Sequence, residues 1–320
     1  MYKPARFLAK LVTVLVLSPL CNLNAADRIH LLVPGGAGGG WDSTARGVGE
    51  SLAKSGLVNV ASYQNLSGGG GSKAMAHLIE TADRQTDTLM ISSTPIILRS
   101  LQGVFPQSWK DLTPVASVIV DYGALVVRAD SGFRSWSDVL DKFREHPKSI
   151  NVAGGSALGS MDHLVAALAF KESGLDPQEV KYIPYNAGAQ AMVGLLSGEC
   201  QLLSTGLSEA ISLAKQGEVR ILAMTAPKRL SSSPDIPTLV EQGSNAVFLN
   251  WRGFFGPPGL SDEKQKEYKQ LFLEMYKTEQ WQTIRDSRGW SDFYTDDKDF
   301  VEFLEEQEKQ LSALMKDLDL

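Results

Sequence analysis

The sequence predicts an α/β fold in two lobes joined by crossing strands, and three observations carry that prediction. From residue 28 onward, short apolar runs alternate with amphipathic stretches, the pattern of strands covered by helices on both faces of mostly parallel sheets. One apolar run, 115–127, is about twice the length of an ordinary strand and is read as a crossing between lobes. A second crossing is read in the aromatic segment 250–259, which ends in Pro257, Pro258 and Gly259. The crossings divide the chain into one lobe of residues 26–121 with 252–320 and another of 122–251.

Residues 1–25 precede this pattern and read as a secretory leader. Lys3, Arg6 and Lys10 make a basic start, an apolar run of about ten residues follows, and small residues at Ala25 and Ala26 suit a peptidase. The run is too short to span the ~30 Å of a bilayer core. A buried first helix and a lipid-modified Cys21 are the alternatives. Leu20, however, stands where a lipid-attachment signal needs a small residue, so cleavage after Ala25 is expected.

Strands are expected at 29–33, 58–63, 88–92, 115–127, 150–153, 180–183, 200–204, 219–224 and 247–255. Helices are expected at 41–57, 72–81, 135–145, 160–173 and 188–196. The last third changes character, with long helices at 262–278 and 297–318. Phe300, Phe303, Leu304, Leu311, Leu314 and Met315 form one stripe along the second of these, which reads as a core-facing surface.

Composition narrows the function. The 320 residues carry 31 Lys and Arg against 37 Asp and Glu, a net charge of −6. No basic cluster could neutralise a nucleic-acid backbone. Loss of the leader removes three cations and Cys21 and leaves Cys200 alone in an apolar run, so it reads as a core thiol and no internal disulfide is expected. The four histidines show no metal-ligand spacing, and no cofactor is expected. The run 67–73, SGGGGSK, lacks the ending of a phosphate loop and reads as a solvated loop at a rim.

The chemistry is expected where an apolar strand runs into small residues that open a helix. This happens at 33–42 (VPGGAGGGWD), 91–95 (ISSTP), 153–163 (AGGSALGSMDH), 185–190 (YNAGAQ) and 204–209 (STGLSE). Helix starts offer unpaired N–H groups and a partial positive charge to anions, and such loops gather at the carboxyl ends of parallel strands. Taken singly, each loop reads first as a helix cap. The third, with Gly154, Gly155, Ser156, Gly159, Ser160 and His163 together, reads as an anion site. A secreted hydrolase using Ser208 with His163 is a rival reading.

Taken with 183–188 (IPYNAG), 206–209 (GLSE), 250–253 (NWRG) and 257–259 (PPG), the motifs at 33–42 and 154–163 resemble the substrate-binding proteins of tripartite tricarboxylate transporters, in the citrate-type subgroup. The resemblance spans essentially the whole chain after the leader. It implies a type II, Venus-flytrap periplasmic binding protein that closes on a di- or tricarboxylate, with citrate the leading candidate. It also implies a monomer that delivers ligand to one large and one small integral membrane subunit and catalyses no reaction.

Carried over by position, it points to Gly36, Ala37 and Asp42 in the first loop and to Ser156, Gly159, Ser160 and His163 in the second lobe. Ser92, Ser93 and Gly206 would line the rest. Asp42 either caps its helix or meets the ligand through water, and Arg252 either packs at the hinge or pairs with a distal carboxylate. Many relatives carry Thr-Pro-Ser where this chain has Ser160, Met161 and Asp162. An aromatic acid or an acidic amino acid, its ammonium paired with Asp42, is the alternative ligand.

Overall fold

The structure is a computed structural model that describes residues 26–319, so the expected leader at 1–25 lies outside the described residues. The chain begins with β1 (Ala26–Val33), α1 (Gly40–Lys54), β2 (Val58–Asn65), α2 (Ser72–Glu80), β3 (Thr88–Ser93), α3 (Pro95–Leu101) and β4 (Thr113–Val120). It continues through β5 (Gly123–Arg128), α4 (Trp136–Glu145), β6 (Asn151–Gly154), α5 (Met161–Lys171), β7 (Lys181–Pro184), α6 (Gly188–Leu196), β8 (Leu202–Gly206), α7 (Leu207–Lys215) and β9 (Val219–Met224). It ends with β10 (Trp251–Gly256), α8 (Asp262–Tyr276), α9 (Glu279–Ser287), β11 (Ser291–Asp296) and α10 (Asp297–Asp317).

Two sheets result. The first runs β11-β4-β10-β3-β1-β2 and the second β7-β6-β8-β5-β9. In β1, Ile29, Leu31, Leu32 and Val33 are all buried, because an inner parallel strand has both faces covered. The sheets are less parallel than the alternation suggests. Strands β2, β1 and β3 run parallel, as do β7, β6 and β8, but β10, β11 and β5 pair antiparallel to their neighbours. These antiparallel pairings arise at the crossings and at the C-terminal edge, where no crossover helix intervenes to return the chain in the same sense.

The expected long strand at 115–127 is two strands broken at Asp121 and Tyr122, and each half enters a different sheet. The Asp121 amide donates to the Asn250 carbonyl at 2.9 Å, so the two crossings lie side by side. Buried packing is also continuous across them. Trp251 meets Phe300 edge-on at 5.8 Å, and α10 extends that cluster through Leu304, Leu311 and Met315 toward the second sheet's helices. At its end, Lys171 Nζ donates to the Asp317 carbonyl at 2.8 Å and Gln178 Nε2 to that of Leu318 at 2.9 Å. The C-terminal helix is thus a strap across both lobes, built on the stripe seen in the sequence.

Strand β11 and helix α9 have no counterpart in the expected elements. The segment SDFYTD becomes a strand because β4 offers it an open edge to pair with. Cys200 is buried, with its Sγ 3.8 Å from the Tyr185 hydroxyl. No helix among the described residues is long and apolar enough to cross a membrane.

Candidate functional site

A cleft of about 410 Å³ opens where the carboxyl ends of the central strands of both sheets face each other. The first lobe contributes the β1–α1 loop, with Gly35, Gly36, Gly39, Gly40 and Trp41, and the glycine turn at 67–70. The second lobe contributes the start of α5, from Gly155 to Asp162, and the start of α6 at Asn186, Ala187 and Gly188. The loops come close. A Cβ on Gly36 would lie 3.2 Å from that of Ala187 in the other lobe, while one on Gly155 would overlap the Gly188 backbone. Glycine at 155 is therefore a packing requirement.

The structure sorts the expected site residues into three groups. Gly36, Ser93, Ser156 and Ser160 line the cleft. Ser160 is the N-cap of α5 yet spends no side-chain hydrogen bond on the helix, so its hydroxyl remains available to a ligand. Ser93 accepts the Trp41 indole N–H at 2.9 Å, and Ser156 accepts the Asp162 amide at 2.9 Å. Ala37, Gly159 and Gly206 do not line the cleft: Ala37 is exposed at its loop tip, the Gly159 carbonyl accepts Gln102 Nε2 at 2.7 Å, and the Gly206 amide donates to Glu209 Oε2 at 3.2 Å.

Ser92, Asp42 and His163 lie deeper. Ser92 is buried in the β3–β10 ladder opposite Gly253. Asp42, in the first turn of α1, accepts the Gly38 amide, Asn65 Nδ2 and Arg46 Nε, each at 3.0 Å. Burial pushes its carboxyl up, but those donors outweigh it and its pKa falls below the ordinary carboxylate value. Of the two roles open to Asp42, the geometry gives loop fixation. His163 accepts the Gly159 amide on Nδ1 at 3.0 Å and packs on Tyr182, and burial holds its pKa down. The Ser208 hydroxyl donates to Asp121 at 2.7 Å, so Ser208 and His163 are each engaged elsewhere and do not form a nucleophile–base pair.

Arg252 lines the cleft but is already engaged. Its Nη2 pairs with Asp121 at 2.6 Å, and its Nη1 donates to Thr44 Oγ1 at 2.6 Å and to the Gly40 carbonyl. It ties the first loop to the hinge. Arg99, on α3, reaches over the rim to the Leu158 carbonyl at 3.1 Å, and its Nε has no partner among the described residues.

Three acidic residues on or behind the cleft floor were missed as site residues. Asp162 and Glu209 line it, and Asp121 lies behind, held by Arg252. Burial first, and then the nearby Glu209 charge, raise the Asp162 pKa from 3.8 to about 8. Burial likewise raises Glu209, more than Arg252 can offset. Two signals were available. Asp121 interrupts a long apolar run, and Asp162 stands at the position where this chain departs from the resembled pattern.

Comparison with known proteins agrees with this architecture. A UPF0065 protein of Bordetella pertussis is 24% identical over 324 residues, covering 99% of both chains. The periplasmic binding protein BugD superposes with a TM-score of 0.82 at 19% identity, covering 92% of this chain and 98% of its own. MatC from Rhodopseudomonas palustris, solved with bound malate, gives a TM-score of 0.78 at 19% identity over 90% of this chain and 98% of its own. Both structures share the two-lobed fold. Residues 44–320 match the family described as the tripartite tricarboxylate transporter family receptor, and the chain belongs to that family.

Proposed function

We propose that this protein is a periplasmic receptor that closes its lobes on a small dicarboxylate and delivers it to the integral membrane subunits of a tripartite transporter. The observation carrying this reading is that glycine-rich helix starts from both lobes line one cleft. Their N–H groups and the Ser160 hydroxyl suit a carboxylate bridging the lobes. A ligand that touches both lobes favours the closed arrangement by its differential affinity. The moving bodies are taken as 26–121 with 252–320, and 122–251. Arg99, with an unused Nε, is positioned for a second carboxylate at the rim.

Citrate is the candidate the resemblance favours, but it brings up to three negative charges toward Asp162 and Glu209. A less charged ligand meets less repulsion, so the reading settles on a dicarboxylate. The malate bound to MatC supports that class. The receptor names of the family and of BugD support binding rather than catalysis.

Calorimetric titration of carboxylates into the purified protein tests the proposal, with Ser160→Ala as the probe. Loss of a hydrogen bond to a charged group costs about 1.5–3 kcal/mol, so affinity should fall by roughly 10- to 150-fold. An unchanged dissociation constant removes Ser160 from the site.

A further inference from the structure

We propose that Asp162, Glu209 and Asn250 form a seat for an ammonium group, so that the ligand is an amino carboxylate; this rests on the receptor reading above and names the ligand class of that same cleft. The three side chains come from separate segments: the first turn of α5, the first turn of α7 and the crossing before β10. All three line the cleft.

Two of them present acceptors with no donor. Among the described residues, Glu209 Oε1 and Asn250 Oδ1 are buried without a hydrogen-bond partner, and Asn250 is only 3% exposed. A buried acceptor left unmatched is costly, and natural structures rarely keep one without a ligand or water to fill it. Asp162 adds a carboxylate that is 6% exposed.

The cations nearby do not meet this demand. Arg252 has committed Nη1 and Nη2 to Gly40, Thr44 and Asp121, and its remaining Nε is buried without a partner among the described residues and reaches neither Glu209 Oε1 nor Asn250 Oδ1; Arg46 is bound to Asp42, and Arg99 faces the rim at Leu158. No group of three His, Cys, Asp or Glu among the described residues is arranged to hold a metal ion. Burial and the neighbouring Glu209 charge raise the Asp162 pKa to about 8, a direction that a cation bound in the cleft would reverse. An ammonium supplies one compact charge and three donors, and the cleft offers it the open acceptors Glu209 Oε1 and Asn250 Oδ1 with the Asp162 carboxyl in the same lining. The glycine loops across the cleft supply the N–H donors for the carboxylate of the same molecule. Such a ligand is polarised as the cleft is: its cation faces the acids and its anion faces the helix starts.

The test is calorimetry on the purified protein with matched ligands. Succinate, malate and L-aspartate differ only in a hydrogen, hydroxyl or ammonium at one carbon. Glutarate with L-glutamate, and the other common amino acids with their deaminated acids, extend the series. The preferred amino acid should bind at least about tenfold more tightly than its deaminated partner. Glu209→Gln and Asp162→Asn should each bring that ratio to within about threefold, with melting curves showing that the variants fold. If Asp162→Asn does not fold, Glu209→Gln alone decides. A deaminated acid binding as tightly as its amino partner, or a ratio unmoved by Glu209→Gln, overturns the ammonium seat and leaves the receptor reading standing. No binding anywhere in the panel overturns both.

Discussion

The loops at 33–42 and 153–163 are one device built twice, and their carboxylates have opposite fates. Each follows a parallel strand, opens a helix with glycines and places an aspartate in the first turn, at Asp42 and Asp162. Asp42 gathers Arg46, Asn65 and the Gly38 amide and is held in its charged form. Asp162 has no cation of its own, faces Glu209, and is pushed up to about 8. A shared motif therefore fixes the backbone donors of both loops, while the residues packed around each acid decide whether it is scaffold or binding surface.

The strongest way to break this contrast is at Arg252, the cation that ties the first loop to Asp121 at the hinge. Arg252→Met leaves Asp121 buried without its partner and should cost about 3–5 kcal/mol of unfolding free energy in urea denaturation. Adding Asp121→Asn should recover a large part of it. A loss below about 1 kcal/mol for the single variant would show that the floor tolerates its negative charge unaided.

The next effect is in pH. A raised folded pKa means that the native state keeps a proton the unfolded chain has released, so Asp162 and Glu209 both make stability fall with rising pH. For Asp162 the window runs from about 4 to about 8. One such proton gives a slope of at most about 1.4 kcal/mol per pH unit. Thermal melts of the ligand-free protein should therefore drop between pH 5 and 8, and Asp162→Asn should flatten the curve. Asp42 acts in the opposite direction. Its depressed pKa contributes stability that is present at neutral pH and lost only as pH falls below about 4. A melt that rises from pH 5 to 8 would show that Asp162 is already matched by positive charge.

The smallest effect separates the first loop's own parts. Asp42→Ala strands the Gly38 amide and Asn65 and should cost about 1–3 kcal/mol. Arg46→Ala should cost less than about 1 kcal/mol, because the Arg46 side chain is 46% exposed and water screens its pair. Equal losses would make the ion pair, rather than the backbone bond, the element that holds the loop.

Much of this was readable along the chain. The strand at Val219–Met224 and the helix at Gly188–Leu196 stand where periodicity put them, and the α10 stripe buries Phe300, Leu304, Leu311 and Met315. These elements are set by local hydrophobic spacing, which a sequence displays directly. The motif 154–163 likewise marked Ser156 and Ser160, both of which line the cleft. His163 looked equivalent to them on paper, yet its ring is turned to the Gly159 amide, because side-chain direction on the first turn of a helix follows from packing.

By itself, the sequence determined the alternation of apolar strands with helices and the glycine-rich helix starts, since each depends on residues adjacent in the chain. Only the tertiary structure decided which carboxylate has a counter-charge. Asp162, Glu209 and Asn250 line one cleft from positions up to 88 residues apart, and Arg252 reaches Asp121 across 131, so charge balance on the floor exists only once distant segments are packed together.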